Sequence, residues 1–297
     1  MQSKFAIEKE SRVNQTIQEA AEAFRHALSS ETMGELSFPT SLDASRRVLK
    51  AVENPDIGLT ALAKIVVAEP LLSAKVIRLA NSVALNPTNQ TVRDVRHAVL
   101  RVGMDPIKAL AMVLIMDQLR QAQRHSGCRE FSSRLWERSI HIAALSYVLT
   151  RKLTRLSADE AMFAGIVHDL GRFYLLSRVA DYPVLLEDVV VLAETINDLA
   201  DQATEKVLNE LNLPASVVDA VLASRRYSGS MPPATLGDIL FIAAAVSPRQ
   251  DPFEDLDSRV IPAADSVLVL GLDQGTVSEA IAASGDEIYS IVVALES

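Results

Sequence analysis

Ser157-Ala-Asp-Glu-Ala161-Met-Phe-Ala-Gly-Ile-Val-His168-Asp169-Leu-Gly171 is the stretch that decides how this 297-residue chain is read. Its first four residues fit the capping pattern S-x-x-E, in which hydroxyl and carboxylate each satisfy an unpaired amide of a helix's first turn. A helix therefore starts at Ser157. The next seven residues are apolar, and the run ends on an adjacent imidazole and carboxylate. Successive helical side chains diverge by about 100°, so both can face one ion only if another element supplies further ligands. Ala161, Ala164 and Gly165, one turn back, are small enough to let a second helix approach. A polar pair placed there has to be bonded, because an unsatisfied polar group in a core costs about 1–3 kcal/mol.

Working outward, helix punctuation recurs. Asp105-Pro106 reads as an N-cap with the first helical residue, Glu69-Pro70 and Leu213-Pro214 as similar starts, and Gly103 as a C′ glycine closing the preceding helix. Strand signals are scarce, with 5 % aromatic residues and no Asn-Gly or Asp-Gly turn. About a dozen helices without repeats are expected, and the fold class is all-α. At 49 % apolar and 23 % charged, the chain has material for a large core.

Three sections are expected. Residues 1–35 form an accessory leading helix, 36–248 the main domain with halves at 36–125 and 126–248, and 249–297 an acidic helical segment. Net charge is −9, which argues against general attraction to nucleic acid or anionic membranes. From Arg249 onward there are two basic and ten acidic residues, either a solvated helical face or a docking surface for a basic partner. The longest apolar runs, Ala109–Met116 and Ile239–Val246, are eight residues each, far below the ~20 that span a bilayer. MQSKFAIEKESRVNQ at the start lacks the apolar stretch of a signal peptide. With Cys128 as the single cysteine, a disulfide framework is excluded, and a cytoplasmic location is the expectation.

A second segment, Phe131-Ser-Ser-Arg-Leu-Trp136-Glu-Arg138-Ser139-Ile-His141-Ile, offers a partner for the His-Asp pair. Positions 135, 138, 142, 145 and 149 make a core-facing stripe of Leu, Arg, Ile, Leu and Leu. Arg138 sits among apolar residues there, and its guanidinium requires an anion.

Together, VHDLG and the preceding Trp-x-x-Ser helix resemble the HD superfamily of metal-dependent phosphohydrolases. Leu36-Ser-Phe-Pro39, Ala61-Leu-Ala-Lys-Ile-Val-Val-Ala-Glu69-Pro70, Leu79-Ala-Asn81-Ser82 and Ala98-Val-Leu-Arg-Val-Gly103 narrow the likeness to the HDOD (HD-related output domain) family. The resemblance implies a helical N-terminal half packed on an HD-like half, and a role as a bacterial signalling output. It also implies an ancestral ligand set of His, His-Asp and a distant Asp around one divalent metal. His168 and Asp169 match the centre of that set. The first histidine falls on Arg138, and the last aspartate on Ala244 of Ile242-Ala-Ala244-Ala-Val-Ser-Pro248; paired histidines of some members fall on Ser224-Arg225 or their neighbours.

Since a guanidinium repels a cation and pairs with a carboxylate, the expectation is that Arg138 takes the metal position and bonds Asp169. The function expected is then non-catalytic and regulatory, with no cofactor, through signalling-protein partners or a small ligand such as a nucleotide. Asn81, Ser82 and His141 are candidates for a ligand groove, although a local backbone role suits Asn81 better. The alternative is a metal-dependent phosphohydrolase using His168 and Asp169, with His141 and Asp238 as substitute ligands. His26, His97 and His125 read as surface or satisfied helix residues, Cys128 as a loop cysteine, and Arg120, Arg124, Arg129 and Arg134 as a solvated face or an anion-binding patch.

Overall fold

The computed structural model describes residues 2–30, 43–52, 54, 56–121, 126–225, 232–254, 256 and 274–296. Leu36–Pro39, Arg124, His125 and 226–231 lie outside the described residues. Among those described, every regular element is helical. No described helix is long and apolar enough to cross a membrane.

The leading helix α1 (Gln2–Ser30) lies against α10 (Val189–Glu210) and the 3₁₀ turn Pro183–Glu187. Phe24 meets Tyr182 edge-on at 5.2 Å, Arg25 pairs with Asp198 at 3.0 Å, and Lys206 Nζ donates to Leu28 O at 3.1 Å. Next come α2 (Asp43–Val52), α3 (Leu59–Val67), α4 (Pro70–Ala80) and α5 (Val95–Val102), short helices set by strong local stops. Pro70 opens α4 behind Glu69 as the sequence suggests, and Gly103 ends α5 at φ 85°, a left-handed geometry that costs glycine little.

At the centre runs α6 (Met104–Gln121), buried from Pro106 through Met116. It packs on α2, α4 and α5 to one side and on α7 (Ser126–Leu153), α8 (Ala158–Val167) and α9 (Leu170–Arg178) to the other. A helix that is apolar all round has to be enclosed, and here it joins the two halves through one core. The second half is completed by α10, α11 (Ala215–Ala223) and α12 (Leu236–Ala245). Finally, α13 (Gln274–Ala282) rests on α7, and α14 (Gly285–Glu296) on both α7 and α4.

Several local expectations shift. The helix expected to start at Pro106 behind an Asp105 cap begins two residues earlier at Met104, and Pro214 is an N-cap ahead of Ala215. Cys128 lies inside α7, 1 % exposed, where burial pushes its thiol up to about 11. The thiol is part of the core rather than of a loop. Of the capping pair at Ser157, only the hydroxyl acts, accepting from Glu160 N at 3.2 Å, while Glu160 Oε1 accepts from Ser216 Oγ. The reciprocal box forms instead at the start of α12, between Thr235 and Asp238.

Candidate functional site

The site is built where α8 stops and α9 starts. Gly165 lets α8 press against α7, since a Cβ there would lie 2.6 Å from Ala143 Cα. His168 is the C-cap that follows α8, and Asp169 precedes α9 with φ −102° and ψ 11°, so the two side chains occupy the corner between two buried helices. His168 turns Nδ1 to Gly165 O at 2.7 Å and Nε2 to Asp169 Oδ2 at 3.1 Å.

Asp169 is 4 % exposed. Burial alone would raise its pKa, but His168, then Arg172 and Arg138 outweigh it and hold the carboxyl well below the usual carboxylate range. Arg172, one turn along α9, reaches Asp169 Oδ1 at 3.4 Å and donates from Nη1 to Asp251 Oδ2 at 2.5 Å. Its Nη2 donates to Asn197 Oδ1 of α10 at 3.1 Å. Burial would lower the Arg172 pKa, yet Asp251 and Asp169 push it up, which keeps the guanidinium charged.

Arg138 enters from α7 at 5 % exposure, on the apolar stripe read in the sequence. Its ion pair is with Asp251, Nε to Oδ2 at 3.8 Å, rather than with Asp169 as the sequence reading expected. The physical reason is local: Arg172 lies in the first turn of α9, three residues beyond the N-cap Asp169, and pairs with it at 3.4 Å. Asp251 arrives on the segment after α12, which also carries Phe253. That ring is fully buried, stacks on Phe131 at 4.9 Å with planes 4° apart, and lies under the Arg172 guanidinium at 5.6 Å.

Ala244 is half-buried on α12 and offers no donor. The carboxylate that does enter the corner is that of Asp251, seven residues later. His141 joins no group of three metal-ligating side chains among the described residues, and its Nδ1 faces Glu137 O of its own helix at 2.8 Å. Asp238 is spent on the α12 capping box, accepting from Thr235 N at 3.0 Å. His26 and His97 are exposed, and His97 faces Asp94 at 3.6 Å.

Asn81 and Ser82 lie elsewhere. They line a groove of about 740 Å³ between α4 and α14, which His141 does not line. Asn81 there is a backbone clamp, donating to Ile77 O and Val92 O and accepting from Val92 N at 2.7 Å.

A divalent ion fits this corner poorly. Two guanidiniums converge on it, and among the described residues no group of three His, Cys, Asp or Glu side chains is arranged to hold a cation. Sequence reasoning missed Arg172, Asn197, Asp251 and Phe253. The i,i+3 spacing of Asp169 and Arg172 was the one local signal for any of them.

The helical corner, the His-Asp pair at its apex and the stripe of α7 define an HD-type helical protein. The chain belongs to the HDOD domain family, which it matches over residues 38–227. It is similar to a Shewanella amazonensis protein provisionally named a metal-dependent phosphohydrolase, with 21 % identity and a TM-score of 0.72, covering 95 % of this chain and 100 % of that one. A provisionally named signal transduction protein of Marinobacter aquaeolei has 19 % identity and a TM-score of 0.58, covering 97 % and 66 %. An HDOD domain protein of unknown function from Geobacter sulfurreducens has 16 % identity and a TM-score of 0.55, covering 95 % and 98 %. No curated protein sequence matches the chain.

Proposed function

We propose that this chain is a non-catalytic regulatory HDOD protein of the cytoplasm that acts by recognising a signalling protein or a small ligand. One observation carries the reading: where an HD hydrolase would assemble its cation, two buried arginines meet Asp251. Fixed positive charge there stands in for the ion's electrostatic role without supplying an open coordination position, and without that position no water is activated. The family's place among bacterial signalling outputs and the signal transduction name of one structural neighbour support the regulatory half of the proposal.

The test is a calorimetric titration with manganese at neutral pH, run beside a phosphatase and phosphodiesterase screen of native protein and Asp169→Ala. Heat without saturation, and hydrolysis no different between the two proteins, is the expected outcome. Tight manganese binding that disappears in His168→Ala, or an activity that the Asp169→Ala change removes, overturns the reading in favour of a phosphohydrolase.

A further inference from the structure

The groove of about 740 Å³ has two helical walls. Ala74, Arg78 and Asn81 stand on one face of α4, and Asp286, Tyr289 and Val293 on one face of α14, because side chains three, four and seven residues apart share a helix face. Leu71, seven residues before Arg78, extends the first wall. The inner side of α14 is conventional, with Ile291, Val292, Ala294 and Leu295 buried. Its groove side is not. Tyr289 is 71 % exposed, and across from it Val83 is 53 % and Leu71 69 % exposed. Apolar side chains gathered in the open and bordered by charge mark a surface that another body covers.

The charges say which body. Among the described residues that line the groove, Arg78 and Asp286 are charged, one on each wall, and neither forms an ion pair with a described residue. A partner segment of one sign would match one wall and be repelled by the other. A second copy of this chain matches both. When a two-fold axis runs along the groove, the α4 wall of each copy lies over the α14 wall of the other, and every unlike pair is made twice.

We propose that the α4–α14 groove is the interface of a two-fold symmetric dimer of this chain, in which Arg78 of each copy faces the partner's Asp286. Tyr289 is the anchor. A rigid aromatic ring costs little conformational entropy to hold and brings a large apolar area, and on the opposing α4 wall the small side chain of Ala74 leaves room for it. The charges at the border fix the register of the two copies, and the apolar walls supply the attraction. This surface is separate from the His168–Asp169 corner, so the dimer and the non-catalytic reading stand or fall independently.

Sedimentation equilibrium of the full chain from about 1 µM to 0.5 mM covers moderate to weak association. A monomer–dimer equilibrium is expected for native protein, and Tyr289→Ser should weaken it by about tenfold or more. Arg78→Glu gives each copy two acidic walls and Asp286→Arg two basic ones, so symmetry places two like-charge pairs in each homodimer, and both variants should stay monomeric. Mixed in equal amounts, the same two variants should form a heterodimer, since each now carries the sign the other needs. Circular dichroism on every variant checks the fold, and Tyr289→Ser tests the interface without any change of charge. Native protein that is monomeric throughout, a dimer indifferent to Tyr289→Ser, or folded charge variants that fail to associate when mixed would each overturn the proposal and leave the groove to a small ligand or a different protein.

Discussion

Gly165 of α8 and Ala143 of α7 meet backbone to backbone: a methyl added to Gly165 would lie 2.6 Å from Ala143 Cα and 2.9 Å from Ala143 N. No flexible side chain is there to yield, so the helices themselves would have to part. The His168–Asp169 corner hangs from this contact, because His168 Nδ1 is anchored on the carbonyl of Gly165.

Gly165→Ala is therefore expected to destabilise the fold by about 1–3 kcal/mol, the range for overpacking a tight core. Urea unfolding followed by circular dichroism measures it. An unchanged midpoint would show that α7 and α8 separate at little cost.

Arg172→Met should be more damaging. Removing one member of a buried charge cluster leaves Asp169 and Asp251 without their hydrogen-bonded cation, a loss of about 3–5 kcal/mol. The sign with pH follows from the depressed Asp169 carboxyl. Its contribution is complete above the ordinary carboxylate pKa of about 4, and is lost as pH falls towards the lower folded value. The variant should accordingly unfold in acid at a higher pH than the native chain, as read from tryptophan fluorescence across an acid titration.

Asn81→Ala would strip two acceptors and a donor from their partner, leaving Val92 N and Val92 O unbonded. A cost of about 1–3 kcal/mol is expected. Faster hydrogen exchange at the Val92 amide, with exchange in α8 unaltered, identifies the effect as local.

Lys75 supplies a pH dependence in the alkaline range. Burial lowers its pKa to about 8 from an ordinary 10.5, against partial support from Asp117. Between those two values the unfolded chain holds a proton that the folded chain has released, so this residue's contribution to stability rises with pH over that window and is level below it. The native-minus-Lys75→Met difference in melting temperature should follow that course between pH 7 and 10.5. A flat difference would show that the ammonium sits in water.

Which of these features the sequence reveals depends on distance along the chain. The corner was legible because caps, small residues and an apolar run all act within a few turns of Ser157, and the α7 stripe because helical period alone places Arg138 among Leu135, Ile142 and Leu145. Cys128 was misplaced because Gly127 looks like a loop residue, though here it continues α7. Asp238 looked available as a ligand until its capping role at Thr235 was seen. The demand of Arg138 for an anion was plain. Its source was not, because Asp251 follows Arg138 by 113 residues and sits in a polar, proline-containing stretch that reads as a separator. Long-range ion pairs leave no period and no local spacing to detect.

The last helix makes the chain's end a structural brace. Lys75 of α4 donates to Leu295 O at 2.7 Å, Arg151 of α7 reaches Glu287 at 3.1 Å, and α14 thus rivets one half of the domain to the other. Clipping the final three residues would strand the Lys75 ammonium inside the protein with its acceptor gone, so trimming or tagging this end changes the body of the molecule as well as its tail.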